Sequence, residues 1–590
     1  MANSKLHHID YKWIALSNTT LGVIMASLNS SIVLISLPAI FRGLNVNPLE
    51  PAESGYLLWM LLGYMVITAT LLVTLGRLSD MLGRVRLYNL GFVIFTVGSI
   101  LLFLTPSSGN TGALEMIIFR LVQGVGGGLL IANSAAILTD AFPANERGTA
   151  LGLNMVATLA GSLVGLVVGG LMSTLWWRAI FLVSVPIGVF GTIWAYKMLR
   201  EQATIRSARR IDIPGNLCLG LGLTILLVAM TYGIMPYGGQ STGWSNPLVI
   251  GGLVGGILLL AAFVVVENKV KEPLFDMHLF KIRAFSMGCA AQLLSALAYG
   301  GFQFALIVWL QGIWLPLHGY KFEDTPLWSA ICILPLLIGF MIFGLAGGWL
   351  SDRVGPRGLS TWGMIGLGTG FIVMTLFPAD FDYLPFAVVL FFIGAAFGVF
   401  ASPNTAAIMN ALPKQYRGVG SGMRSTFQNA GNPLSMGIFF SIIVVVLSSR
   451  LPGAIENSLT GNGVPGSVAT QAAHIPPTGA LFAAFLGYNP METLIPPADL
   501  SRLPASVSSN ITSTHFFPTV IGTPFADALH VVFWVSALLV FLAAVFSYLR
   551  GGRFVYEESE AAPAAEPRKT AVGQAAGPSS LPAYNRNIRR

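Results

Sequence analysis

The chain has 590 residues, of which 54% are hydrophobic and only 10% charged. A soluble domain carries roughly 25% charged residues to cover its surface, so a water-soluble globular enzyme of this length is excluded. The formal charge of +8 would point to nucleic acid only if the basic residues shared one soluble face, and they are spread over short loops instead.

Taken in chain order, fourteen apolar runs of roughly 20 residues, the length that crosses a hydrocarbon layer as a helix, lie near 15–37, 55–75, 87–105, 113–137, 149–173, 180–198, 214–235, 247–266, 285–311, 328–349, 359–377, 384–410, 419–447 and 527–549. Backbone groups in lipid must pair internally, and runs this long without alternation are helices rather than barrel strands. With the N-terminus placed in the cytoplasm, most Lys and Arg residues fall on that side, among them Arg77, Arg84, Arg86, Arg200, Arg206, Arg209, Arg210, Lys269, Lys271, Lys281 and Arg283. Arg42, Arg178, Lys321, Arg450 and Arg502 fall outside. This is the positive-inside pattern, and an even number of spans returns the C-terminus to the cytoplasm.

The expected organisation follows. Residues 1–14 form a cytoplasmic N-terminus, 15–198 a six-helix bundle, and 199–284 a linker with two extra spans. Residues 285–447 give five helices of a second bundle, 448–526 an extracytoplasmic loop, 527–549 the last helix, and 550–590 a disordered tail. The stretch Gly479–Gly487 within the long loop is too short to span; it reads as an interfacial helix or a tolerated loop insertion. Cys218, Cys289 and Cys332 all sit in apolar runs, so neither a disulfide framework nor a metal site is expected. MANSKLHHIDYKW lacks the ordered parts of a removable signal peptide.

The chain repeats itself. GRLSDMLGRVR (76–86) matches GWLSDRVGPR (348–357), FPANERGTALG (142–152) matches LPKQYRGVGSG (412–422), and Ala135–Ile137 matches Ala406–Ile408, at offsets of 270 to 272. The expected fold is therefore all-α and integral to the membrane, with two pseudo-symmetric six-helix bundles plus two extra central helices. Parallel repeats of this kind belong to one class of transporters, with the substrate site between halves that rock. With its GRLSDMLGRVR loop, RLVQGVGGG (120–128), the glycines of helix 5 and WWRAIFLVSVPIG (176–188), the sequence resembles the major facilitator superfamily, in its fourteen-helix drug:proton antiporter branch.

The motifs have physical readings beside the resemblance. Gly76 and Gly83 permit a tight turn after helix 2, and Arg84 holds it at the cytoplasmic face. The resemblance implies that Asp80 latches onto the helix start near Gly418, where unpaired N–H groups favour a carboxylate, with Gly348, Asp352 and Gly355 as the repeat. An ordinary charged loop is the alternative. On helix 4, Arg120 costs about 2.5–3.5 kcal/mol at mid-membrane and must face a cavity or partner, with Gln123 on the same face. The resemblance implies a substrate or coupling role for it, against a purely structural one. Gly161, Gly165, Gly169 and Gly170 make a bare stripe for close packing on helix 5, although Leu166 stands where the branch usually has proline.

Polar stripes mark Gln292, Ser295, Tyr299 and Gln303 on helix 9, and Arg424, Gln428, Asn432 and Ser435 on helix 13. They line a cavity or tie helices together, and Tyr64 on helix 2 joins the cavity candidates. Asn29 occupies the helix-1 position where the branch usually has an acid, and an amide cannot exchange a proton near neutral pH. Glu115 lies toward the outer mouth. Arg120 and Arg424 facing one cavity without a counter-ion would favour an anionic or zwitterionic substrate.

The function expected is secondary transport without a cofactor, most simply export of amphipathic small molecules from the cell (inner) membrane by a monomer. Proton antiport is implied by the resemblance. Export of a lipid or envelope component and a receptor-like role are the alternatives; an enzyme is not expected.

Overall fold

The computed structural model describes residues 10–46, 51–143, 146–201, 212–240, 242–270, 273–413 and 416–551. Arg206, Arg209, Arg210, Lys271 and the tail expected to be disordered lie outside the described residues, as do the side chains of Asp352 and Arg417 and the surroundings of Gly418.

Each of the fourteen expected spans coincides with a helix. They are α1 (Tyr11–Leu44), α2 (Pro51–Leu82), α3 (Arg84–Leu104), α4 (Gly109–Ala141), α5 (Arg147–Leu175), α6 (Ala179–Met198) and α7 (Ile213–Ile234). Then follow α8 (Pro247–Glu267), α9 (Arg283–Leu317), α10 (Thr325–Val354), α11 (Pro356–Met374), α12 (Tyr383–Asn410), α13 (Arg417–Gly461) and α14 (Phe516–Leu549). Twelve are long and apolar enough to cross a membrane by composition alone. α2 qualifies as two segments bent by 51° between Leu72 and Thr74, and the glycine-rich α11 is not among the twelve.

Helices α1–α6 and α9–α14 form the two bundles, and local geometry repeats between them. The turn after α2 is made by Gly83 at φ 104°, with its N–H on the Ser79 carbonyl at 2.9 Å. Its counterpart after α10 is Gly355 at φ 87°, with its N–H on the Ser351 carbonyl at 3.0 Å. Side chains other than glycine rarely adopt this backbone region. Gly91 packs on the Gly126 carbonyl as Gly363 packs on that of Ala396.

The glycine stripe of α5 is where the first bundle closes tightest. A methyl group at Gly161 would come within 2.4 Å of the Ser27 Oγ, and one at Gly165 within 2.4 Å of the Leu28 carbonyl. Gly169 faces Ile32 and Ile35 of α1. Gly170 looks the other way, onto Pro326 and Leu327 of α10, so it joins the two bundles instead. Overpacking of this kind costs roughly 1–3 kcal/mol. Gly165→Ala is therefore expected to lower the thermal unfolding midpoint of the purified protein, and an unchanged midpoint would refute the tight crossing.

The two extra helices form a hairpin against the outside of the assembly. α7 packs on both α2 and α13 and so covers the seam between bundles on that side. Met230 of α7 meets Gly437 of α13, and Met235 just beyond it meets Gly55 of α2. α8 has only 17% of its span buried, the exposure a lipid-facing helix is built for.

The long segment before the last helix departs from expectation. α13 continues to Gly461 because Leu451, Ile455 and Leu459 carry its apolar face onward, and α14 already begins at Phe516. The true connection is therefore 462–515, and it is folded, with short helices at Gly466–Ala472, Pro477–Leu486, Met491–Leu494, Pro497–Leu500 and Ala505–Ile511. Pro477–Leu486 is no interfacial helix. All ten of its residues are buried, and it touches α1 and α2 of one bundle and α9, α13 and α14 of the other. Its neighbour Gly487, at φ 75°, leaves room for Phe322, which stands 2.3 Å from where a methyl would be.

Candidate functional site

The first bundle gathers a buried polar cluster from four helices around Arg120. The Nη1 of Arg120 donates to Asn29 Oδ1 of α1 at 2.5 Å and to Gln123 Oε1 at 2.8 Å. Its guanidinium lies 4.6 Å from the centre of the Tyr64 ring of α2, a cation–π contact. Gln123 Nε2 continues to Ser99 Oγ of α3 at 2.8 Å.

The RLVQGVGGG motif explains why this fits. Arg120 and Gln123 share one face of α4, whereas its glycines let neighbours approach. A methyl at Gly127 would meet the Tyr64 hydroxyl at 2.5 Å, and one at Gly126 would meet the Phe95 amide at 2.5 Å. On the α3 side, Gly98 admits the backbone of Gln123 at 3.0 Å.

The cluster is one-sided in charge. Arg120 is 2% exposed, and among the described residues no carboxylate pairs with it. Its Nε and the Asn29 Nδ2 are both buried donors without an acceptor. Glu115 does not reach it: one carboxylate oxygen accepts from Ser107 Oγ at 2.8 Å and the other has no partner. A buried cation held only by amide oxygens and a π face retains most of its attraction for an anion.

The second bundle holds a different network near the start of α13 and the end of α14. Arg424 Nη1 donates to Thr405 Oγ1 at 3.2 Å and to Gln428 Oε1 at 3.4 Å. Asn404 Nδ2 reaches Gln292 Oε1 and the Gly288 carbonyl, each at 3.3 Å, and Asn404 Oδ1 accepts from Arg550. Arg550, just past α14, has its pKa lowered to about 10 by burial.

The remaining stripe residues mostly tie helices together. Ser435 Oγ accepts from the Gly301 N–H of α9 at 2.6 Å and donates to the Leu297 carbonyl. Ser295 bonds back to the Gln292 carbonyl, and Tyr299, within reach of Gln303, stacks on Phe397 at 4.1 Å. Asn432 packs against Gly300.

Arg120 and Arg424 do not stand at one depth. Ser134 bonds Asn154 in the first bundle as Thr405 bonds Arg424 in the second, so Arg424 is level with Ser134. Ser134 lies fourteen residues along α4 from Arg120, about 21 Å at 1.5 Å per residue. A single small anion cannot bridge the two arginines in this arrangement.

At the turn after α2, Asp80 accepts from Arg84 Nε at 2.8 Å, and Arg84 Nη1 bonds Asp140 at the end of α4 at 2.7 Å. The loop is thereby pinned within its own bundle. Gly76 stands beside Ala132, and in the repeat Gly348 stands beside Ser402; the Asp352 side chain and the expected partner near Gly418 are outside the described residues.

Sequence inspection passed over Asn133, Ser134, Asn154, Asn404, Thr405 and Arg550. The signal for four of them was present: the repeat at 135–137 and 406–408 extends backward to Asn133-Ser134 and Asn404-Thr405.

Comparison with known proteins gives a consistent result. The family model described as Major Facilitator Superfamily matches residues 19–265 and 215–436. "Riboflavin transporter RibZ" of Clostridioides difficile (strain 630) is 28% identical over 438 residues, covering 74% of this chain and 89% of the relative. "Multidrug transporter protein MdtP" of Bacillus subtilis (strain 168) is 24% identical over 543 residues, covering 90% and 92%. A crystal structure of a D-xylose-proton symporter superposes with a TM-score of 0.51 at 16% identity, covering 82% of this chain and 98% of that one, which bears on the fold alone.

Proposed function

The chain belongs to the major facilitator superfamily, and from that premise we propose that it exports amphipathic small molecules carrying an anionic or zwitterionic group. It is a multi-pass membrane transporter and not an enzyme. The observation that carries the substrate class is Arg120: a buried guanidinium with no carboxylate beside it, and two unsatisfied donors, its own Nε and Asn29 Nδ2, in the same cluster. A bound carboxylate or phosphate supplies the missing acceptors, whereas a cation meets uncompensated repulsion.

Alternating access is the transport mode, with Asp80 and its repeat Asp352 acting at the cytoplasmic latch. Asp80 pairs with Arg84 of its own bundle, and in this reading it also meets the other bundle when the latch is closed. Both termini are cytoplasmic in this reading, the membrane is the cell (inner) membrane, and a proton gradient drives export by a monomer. Relatives named as multidrug and riboflavin transporters support small-molecule cargo. The folded external segment over the outer ends of both bundles favours, as a second reading, delivery of a lipid or envelope component.

Purified protein in liposomes with an imposed pH gradient tests this, using an anionic and a cationic amphiphilic dye of similar size alongside a fluorescent lipid. The anionic dye is expected to move faster. Faster movement of the cation rejects the substrate class, and movement of the lipid alone selects the second reading.

A further inference from the structure

Helix α1 carries Asn29 where a proton-exchanging acid would be expected, which leaves open where this chain binds a proton. The described residues contain one place where two buried carboxyl groups converge, and it lies on the extra hairpin. Asp212 immediately precedes α7 and Glu267 ends α8; they are 4% and 3% exposed. A methyl on Gly215 would stand 2.3 Å from Asp212 Oδ2 and 2.6 Å from Glu267 Oε1, so these two oxygens face each other across that glycine. Neither has any hydrogen-bond donor, although both are buried. The other oxygen of each is engaged: Asp212 Oδ1 accepts from the Gly215 N–H at 2.9 Å, and Glu267 Oε2 from the Phe275 N–H at 3.0 Å.

Two desolvated carboxylates facing each other cannot both stay charged, because burial and like-charge repulsion oppose ionisation together. Neighbouring elements bring no described cation onto the pair. α7 and α8 carry no other charged residue. On α2, Arg77 directs Nη2 to the Pro273 carbonyl at 2.8 Å. On α13, which packs against α7, Arg424 is bound to Thr405 and Gln428. In the connector to α9, Asp276 accepts from the His278 N–H at 3.0 Å.

We propose that Asp212 and Glu267 share one proton and form the proton-binding site of this transporter. The proton sits on Glu267 Oε1 and is donated to Asp212 Oδ2, since the N-terminus of α7 favours the negative charge on Asp212. Uptake forms one O–H bond and takes the pair from two negative charges to one; release restores both and forces the carboxylates apart.

The site is linked to the part of the protein that must move. Asn216, one turn into α7, donates to the Asp212 carbonyl at 2.8 Å and accepts from Thr74 Oγ1 of α2 at 2.6 Å. Thr74 is the first residue past the 51° bend in α2. Arg77, in the same segment, holds Pro273, two residues before the amide that Glu267 grips. Deprotonation therefore acts on the lower segment of α2, which carries Asp80.

Infrared spectroscopy of the purified full chain at neutral pH tests the shared proton without substrate. The wild type is expected to show the carbonyl stretch of a protonated carboxylic acid, shifted by deuteration and lost in both Glu267→Gln and Asp212→Asn. Asparagine is as good an N-cap as aspartate, and glutamine keeps an acceptor for the Phe275 N–H, so both variants retain the local fold. In liposomes the transport rate is expected to vary with cytoplasmic pH in the wild type and to lose that dependence in Glu267→Gln, with Glu267→Asp restoring part of it. Absence of the band in the wild type, its persistence in both variants, its loss only in Glu115→Gln, or an unchanged pH profile in Glu267→Gln would each overturn the proposal.

Discussion

Replacing Arg120 with alanine is expected to lower transport of an anionic amphiphile by about 10–100-fold, the equivalent of losing one charged hydrogen bond of roughly 1.5–3 kcal/mol. The same variant is expected to unfold at an equal or higher temperature than the wild type. A guanidinium at this depth costs about 2.5–3.5 kcal/mol, and here that cost is offset only by two amide oxygens and the Tyr64 ring. Loss of function without loss of stability separates a substrate ligand from a structural arginine. A structural arginine would give the opposite result, with lower stability and expression and transport per folded molecule preserved. Asn29→Asp extends the test, because its oxygen already lies 2.5 Å from Arg120. The new carboxylate neutralises the cation, so anion transport falls and the preference for anions over cations narrows.

The second large effect concerns the end of the bundles where the segment 462–515 folds in. Phe485 is buried in the short helix Pro477–Leu486, with its backbone against Gly312 of α9, and the next residue offers its carbonyl to Arg42 of α1 at 3.1 Å. Arg42 also reaches the Phe322 carbonyl at 3.3 Å, and Gln311 Nε2 crosses between bundles to the Ile35 carbonyl at 3.1 Å and to Ser329 Oγ at 2.8 Å. The bundles are thus joined at this end under a protein plug. Phe→Ala in such packing costs about 3–5 kcal/mol. The spans keep their own backbone bonds, so the cost falls on the seal. A cysteine placed at Ser329, with Cys218, Cys289 and Cys332 replaced by alanine, is expected to react with a membrane-impermeant maleimide about 100-fold faster when Phe485 is also alanine, at roughly 1.4 kcal/mol per tenfold. Equal labelling would mean that the helix is a passive insertion.

The two sites differed in how legible they were. Arg120 and Gln123 stand out because charge and amide inside an apolar run are expensive and therefore informative. Tyr64 is a cavity candidate whose partner only the crossing at Gly127 reveals, whereas Ser99 is an ordinary residue in its own helix and joins the cluster only through the crossing at Gly98. The stripe on α13 had the right period but mixed roles, since periodicity places Arg424 and Ser435 on related faces without saying which neighbour each meets. Ser435 meets the backbone of α9 and acts as a tie. Asp212 and Glu267 are some fifty residues apart, and only the folding back of α8 on α7 makes them a pair.

Sequence by itself determined the solvent, the helices and the duplication. A chain with so few charges cannot face water over its whole surface, twenty-residue apolar runs have one way to satisfy their backbone in lipid, and motifs recurring at offsets of 270 to 272 carry matching turns at Gly83 and Gly355. Tertiary structure alone decided which polar groups are paired, that Arg120 and Arg424 lie at different depths, and that the segment 462–515 is folded in between the bundles. Those outcomes depend on contacts between residues hundreds of positions apart, whose energies exist only once the helices have packed.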